Sequence, residues 1–101
     1  MKRPEIVAKI QQAITGIKGM QVWLYGSEAR EEARPDSDID LLVLLQKSRV
    51  TLTDRMHVAG LFNTIELDTG VLINTFIQTE QQWNDSNSAF HQSVTRERIA
   101  L

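Results

Sequence analysis

The segment Ile39-Asp40-Leu41-Leu42-Val43-Leu44-Leu45 constrains this chain most. A strand with one wet face alternates apolar and polar residues, whereas positions 41–45 are apolar throughout. Both sides of such a strand must be covered, which places it inside a sheet with helices on each face. The run is also far shorter than the roughly 20 apolar residues needed to cross a bilayer. A central strand is the reading that remains.

The flanking sequence supplies the covering elements. In residues 4–18, Ile6, Ile10, Ile14 and Ile17 recur at helical spacing, and Pro4 suits a first turn. Gly16 and Gly19 mark the end of that helix. Residues 21–25 (Gln-Val-Trp-Leu-Tyr) are short, rich in β-branched and aromatic side chains, and bounded by Gly19 and Gly26, which predicts a strand. Residues 53–68 return to helical spacing, with Val58, Leu61, Phe62 and Ile65 as the inward stripe. Thr53 or Asp54 is placed to cap this helix and Gly70 to end it. Residues 71–77 read as a third strand. The tail from 79 opens on a capping-box pattern, Thr79-Glu80-Gln81-Gln82, and holds one or two short helices, with Trp83 as their anchor. The expected fold class is α/β, a small mixed sheet of about three core strands flanked by helices, in one domain spanning residues 1–101.

Composition narrows the chemistry. The chain has no cysteine, which excludes disulfides, cysteine–zinc sites and thiol nucleophiles. Its 13 acids against 11 bases give a net charge of −2, so no bulk positive field draws nucleic acid. No signal-peptide pattern opens the sequence and no stretch spans a membrane, so a cytoplasmic location is expected. The acids are unevenly spread: Glu28, Glu31, Glu32, Asp36, Asp38 and Asp40 fall within thirteen positions, offset there only by Arg30 and Arg34.

Asp38 and Asp40 are the informative pair. On a strand, residues two apart face the same way, with Cα atoms roughly 6.5–7 Å apart. Two carboxylates aimed at one spot repel unless a cation lies between them, and a hard, oxygen-seeking cation such as Mg²⁺ is the natural guest. The adjoining Gly26-Ser27 follows an apolar strand directly. Glycine there permits a sharp turn and close approach of a ligand, and Ser27 is expected to cap a helix starting near Glu28, whose free N–H groups would suit phosphate. A calcium-loop reading of Asp36-x-Asp38-x-Asp40 fails, because its glycine and glutamate positions hold Leu41 and Lys47.

With these residues in place the stretch resembles the signature of the nucleotidyltransferase superfamily related to DNA polymerase beta, in particular the minimal nucleotidyltransferase-domain proteins. The matching residues are Gly26-Ser27-Glu28-Ala29-Arg30 and Ser37-Asp38-Ile39-Asp40-Leu41-Leu42-Val43. The resemblance implies a nucleotidyltransferase fold and transfer of a nucleoside monophosphate from an NTP, such as ATP, with pyrophosphate leaving. It implies that Gly26 and Ser27 hold the triphosphate, that Asp38 and Asp40 are catalytic and hold two Mg²⁺ ions, and that Arg30 and Ser37 support the nucleotide. Two departures stand out. Glu31 replaces the usual glycine after Ala-Arg, and the third strand, which in active members brings another carboxylate, offers only Asn74 and Thr75 as polar residues. Glu66 and Asp68, near in sequence, read as the end of a helix. The alternative implied is a nucleotide-binding module acting as antitoxin or partner of a HEPN-domain protein; a homo-oligomer is compatible with either.

The other polar and aromatic residues have plainer readings. Glu28, Glu31 and Glu32 read as a solvated helix face, and His57 and His91 lack companion ligands at metal spacing. Trp23 and Tyr25 alternate with Val22 and Leu24 as core of a two-sided strand.

Overall fold

In the computed structural model, which describes residues 2–101, the apolar run forms the strand β2 (Ile39–Leu45) at the centre of the molecule. The order along the chain is α1 (Pro4–Ile14), β1 (Met20–Tyr25), β2, α2 (Leu52–Thr69), β3 (Ile73–Thr79), α3 (Glu80–Asp85), α4 (Ala89–Glu97) and β4 (Ile99–Ala100). The strands form one mixed sheet in the order β3-β2-β1-β4. β2 runs antiparallel to β1 and parallel to β3, and β4 pairs antiparallel with β1. The architecture is of the expected α/β class, a small mixed sheet flanked by helices, with one strand more than the three the sequence predicts.

Each face of β2 meets a different layer, as its composition requires. Ile39, Leu41, Val43 and Leu45 point into a cluster with Ile6, Val7 and Ile10 of α1 and Val58, Phe62 and Ile65 of α2. Leu42 and Leu44 point the other way, against Trp83 of α3 and Val94 of α4, with Trp23 and Tyr25 packed at the margin. Burying a leucine this completely contributes about 1.5–3 kcal/mol over leaving it exposed, so the two layers together fix the strand in place.

Several boundaries move for identifiable reasons. α1 stops at Ile14 rather than 18, because Thr15 leaves helical conformation (φ −59°, ψ 129°) and Gly16 turns the chain at φ 80°. The cap of α2 is Thr51, not Thr53 or Asp54. Asp54 is instead the reciprocal half of a capping box, accepting from the Thr51 N–H while the Thr51 hydroxyl accepts from its own N–H. Gly70 ends α2 in the left-handed conformation (φ 71°), as expected. β3 begins at Ile73, two residues late, because pairing Ile39 with Ile73 through Leu45 with Thr79 sets its limits more strongly than its apolar pattern does. The capping box at Thr79 and Gln82 is present, and Trp83 is buried as the anchor of α3.

Candidate functional site

β1 delivers the chain to Gly26, which adopts φ 77°. A Cβ at this position would collide with Oδ2 of Asp40 and stand 3.3 Å from its Cγ. Glycine is therefore required twice, for the left-handed turn and for the space that the Asp40 carboxylate occupies.

Beyond Gly26 the expected helix does not form. Arg30 N donates to Gly26 O (3.1 Å), Glu31 N to Glu28 O (3.2 Å) and Glu32 N to Ser27 O (2.8 Å), a set of consecutive turns. Within these turns Glu28, read from the sequence as part of a solvated helix face, is fully buried. Its carboxylate accepts from Lys2 N (2.9 Å), Arg3 N (3.0 Å) and Arg3 Nε (3.2 Å). Arg3 also donates to Ser37 O (2.6 Å) and Pro35 O (3.4 Å), so one buried ion pair ties the amino-terminal segment to the turns on both sides of the site. Glu31 and Glu32 are exposed, as expected. Glu31 holds φ 61°, a conformation that costs a side-chain-bearing residue roughly 1–2 kcal/mol. Glycine at this position would carry no such cost.

Ser37 closes the approach to β2: its Oγ accepts from Arg34 N (3.0 Å) and its N–H donates to Arg34 O (3.0 Å). Asp38 and Asp40 follow on one face, Asp38 exposed and Asp40 half-buried. Across the sheet Asp40 is in register with Tyr25 on β1 and Asn74 on β3, which makes a single rung. The Asn74 amide donates to Asp38 Oδ2 (3.1 Å) and to Asp40 Oδ1 (3.2 Å), holding the two carboxylates together. Tyr25 has its phenol pKa raised, first by burial and then by the negative charges of Asp40 and Glu97.

Glu97 is the residue that sequence reasoning missed. It ends α4, and its Oε1 accepts from Gly26 N at 3.0 Å. Arg30 donates to both of its oxygens at 3.2 Å, while Arg30 Nε meets Glu32 Oε2 at 3.1 Å. These hydrogen bonds, to Glu32 and then to Glu97, raise the Arg30 pKa. A carboxylate thus rests on two of the groups expected from the sequence to meet a triphosphate, while the hydroxyl of half-buried Ser27 makes no hydrogen bond among the described residues. No spacing rule links positions 26 and 97.

The donor set suits a hard cation: two carboxylates converge, and a half-turn of the Asn74 amide would add its oxygen. Among the described residues, no group of three or more His, Cys, Asp or Glu side chains could hold a metal. Glu66 is not a spare ligand, because its Oε2 accepts from Ile73 N (3.0 Å) and splices α2 to β3. No helix among the described residues is long and apolar enough to cross a membrane.

An open mixed sheet carrying a Gly-Ser turn opposite paired aspartates defines a nucleotidyltransferase of the polymerase beta class. The family model "Polymerase beta, Nucleotidyltransferase" matches residues 8–101, and the chain belongs to that family, as a minimal nucleotidyltransferase. It is 33% identical over 82 residues to a candidate protein adenylyltransferase, MJ0604, of Methanocaldococcus jannaschii, covering 80% of this chain and 76% of that protein. Among solved structures, a candidate minimal nucleotidyltransferase superposes with TM-score 0.68 at 29% identity, over 100% of this chain and 97% of the other. A toxin–antitoxin structure with AMP-PNP shares the fold, with TM-score 0.59 and 15% identity over 99% and 72% of the two chains.

Proposed function

We propose that this chain transfers a nucleoside monophosphate from Mg²⁺-bound NTP, ATP in the first instance, to a hydroxyl on an acceptor. The observation that carries this reading is the Asp38–Asp40 pair, set on one strand face against a turn that only glycine can make. Gly26, Ser27 and Arg30 face the triphosphate, and Ser37 holds the turn that aims Asp38. Asp38 and Asp40 would hold Mg²⁺ together with triphosphate oxygens, and the bound ion would neutralise phosphate charge and favour ionisation of the acceptor hydroxyl. The acceptor oxygen bonds to the α-phosphorus and the bond from that phosphorus to the β-phosphate bridging oxygen breaks. Pyrophosphate leaves with the electron pair, and the hydroxyl proton passes to the Asp40 carboxylate and on to water.

A second reading rests on Asn74, an amide where active members of the resembling family bring a carboxylate. It makes the chain a nucleotide-binding module that acts through a protein partner, a HEPN-domain protein by the same resemblance. Incubation with α-labelled ATP, Mg²⁺ and candidate acceptors separates the two. Transfer that disappears in Asp38→Ala supports the enzyme. Mg-ATP binding without transfer, with transfer appearing in Asn74→Asp, supports the module. Transfer that survives Asp38→Ala refutes the assignment of the pair.

A further inference from the structure

β3 is an outer strand of the sheet, and its free edge is uneven in a telling way. In a parallel ladder alternate residues turn their backbone groups toward the neighbour. Leu72 O accepts from Ile39 N (2.9 Å), so the residues that turn away from β2 are Ile73, Thr75, Ile77 and Thr79. The first and last are capped by side chains: Ile73 N donates to Glu66 Oε2 and Thr79 N to Gln82 Oε1, each at 3.0 Å. Thr75 and Ile77, between them, have no such cap among the described residues.

Exposed strand edges are usually guarded by charge, proline or a bulge. The sequence of β3, Ile-Asn-Thr-Phe-Ile-Gln-Thr, contains neither a charge nor a proline. A groove of about 410 Å³ runs along the open stretch, floored by residues 75–78 and walled by Arg49, Val50, Arg55 and Gln82. Arg49 and Arg55 are exposed, and their guanidinium groups make no hydrogen bond or ion pair among the described residues. By contrast Lys47, two positions before Arg49, is paired with Asp54 at 2.8 Å. Phe76 offers a ring 38% exposed in the same groove. The open stretch begins one residue beyond Asn74, which touches both aspartates.

We propose that the β3 edge is the docking site for the acceptor, an extended acidic segment of a protein. This deepens the transferase reading above and rests on it. The segment adds to the sheet as a further strand, pairing with the backbone groups of Thr75 and Ile77. Its acidic side chains meet Arg49 and Arg55, and a hydroxyl-bearing residue near its end is delivered beside Asp38 and Asp40. Two arginines with no side-chain partner among the described residues, on a chain of net charge −2, select an acidic partner over a basic one.

The test uses the whole chain and a fluorescein-labelled (Glu-Thr)₅ peptide, read by anisotropy at low salt, with (Lys-Thr)₅ and decathymidylate as competitors. Binding of the acidic peptide is expected, weakened about tenfold by the double change Arg49→Glu and Arg55→Glu and weakened further by added salt. Thr75→Pro, which removes an outward N–H without touching the β2–β3 ladder, should weaken it similarly. Mg-ATP binding by calorimetry should be unchanged in all these variants. Equal peptide binding by wild type and the double arginine variant overturns the proposal, as does equal binding by wild type and Thr75→Pro. Tighter binding of decathymidylate that is lost in the arginine variant overturns it in favour of a nucleic-acid backbone. Peptide binding that persists in a protein failing to bind Mg-ATP overturns the transferase reading and leaves the docking edge standing.

Discussion

The face of the sheet under α1 and α2 differs from the face under α3 and α4 in what β2 contributes to each. Toward the first layer β2 sends Ile39, Leu41, Val43 and Leu45, an unbroken apolar row packed against two helices of 11 and 18 residues. Toward the second it sends Asp40, Leu42 and Leu44, with Asp38 just before the strand joined to Asp40 through Asn74, so that face begins as a charged site and becomes core only halfway along. The helices above it are short, 6 and 9 residues, and they leave the polar half uncovered. One face carries stability and the other shares its length between stability and chemistry. The chemistry is affordable because the opposite layer holds the strand.

The largest effect expected from this division comes from neighbours on β2 that point opposite ways. Leu41→Ala should destabilise the fold by about 3 kcal/mol, the usual range for a fully buried leucine, and leave Mg-ATP affinity of the folded protein intact. Asp40→Asn should remove most Mg-ATP binding while changing stability by about 1 kcal/mol or less. Urea unfolding and calorimetry on both variants read this directly. A folded Leu41→Ala protein without nucleotide binding, or an Asp40→Asn protein that unfolds, breaks the division.

A smaller effect sharpens the polar half. Glu97 occupies Gly26 N and Arg30, the groups proposed to meet the triphosphate, so Glu97→Gln should tighten Mg-ATP binding about three- to tenfold by freeing the guanidinium. Titration calorimetry measures it, and an affinity unchanged or weakened would show that Glu97 organises the cradle rather than competing for it.

The smallest concerns the start of α2 on the other face. The Asp54 carboxyl is held down at about 2 from its usual 3.8, first by the hydrogen bond from Lys47 and then by the Thr51 N–H. A carboxyl depressed on folding stabilises the folded state above its unfolded pKa, and that contribution fades as pH falls through the folded value. The melting-temperature difference between wild type and Asp54→Asn should therefore be full near about pH 5 and largely gone near about pH 2. A difference that does not change with pH would remove Asp54 from the account.

The elements of this fold were mostly legible because each reports a local rule. The apolar run at 41–45 demanded two covering layers, the isoleucine spacing marked α1, and Thr79 with Gln82 marked α3. Boundaries were less legible where pairing overrode pattern, as at the start of β3, or where a turn exit preceded its glycine, as at Thr15. Glu28 was misread because its surface-like neighbours, Glu31 and Glu32, have no bearing on whether Arg3 lies behind it. Asn74 and Thr75 were the polar residues of a predicted strand without an acid, yet the bridging of both aspartates by Asn74 depends on the register of β2 with β3.

By itself the sequence determined the family, the central strand and the pairing of Asp38 with Asp40, because two-residue periodicity and a Gly-Ser turn are properties of contiguous chain. Only the tertiary structure decided what surrounds that pair. It set Asn74 between the carboxylates, Glu97 on the Gly26 N–H from 71 positions away, and along an outer strand edge two arginines with no side-chain partner among the described residues. Each of these depends on where separate elements come to rest against one another, and such contacts between distant residues leave no mark in local spacing.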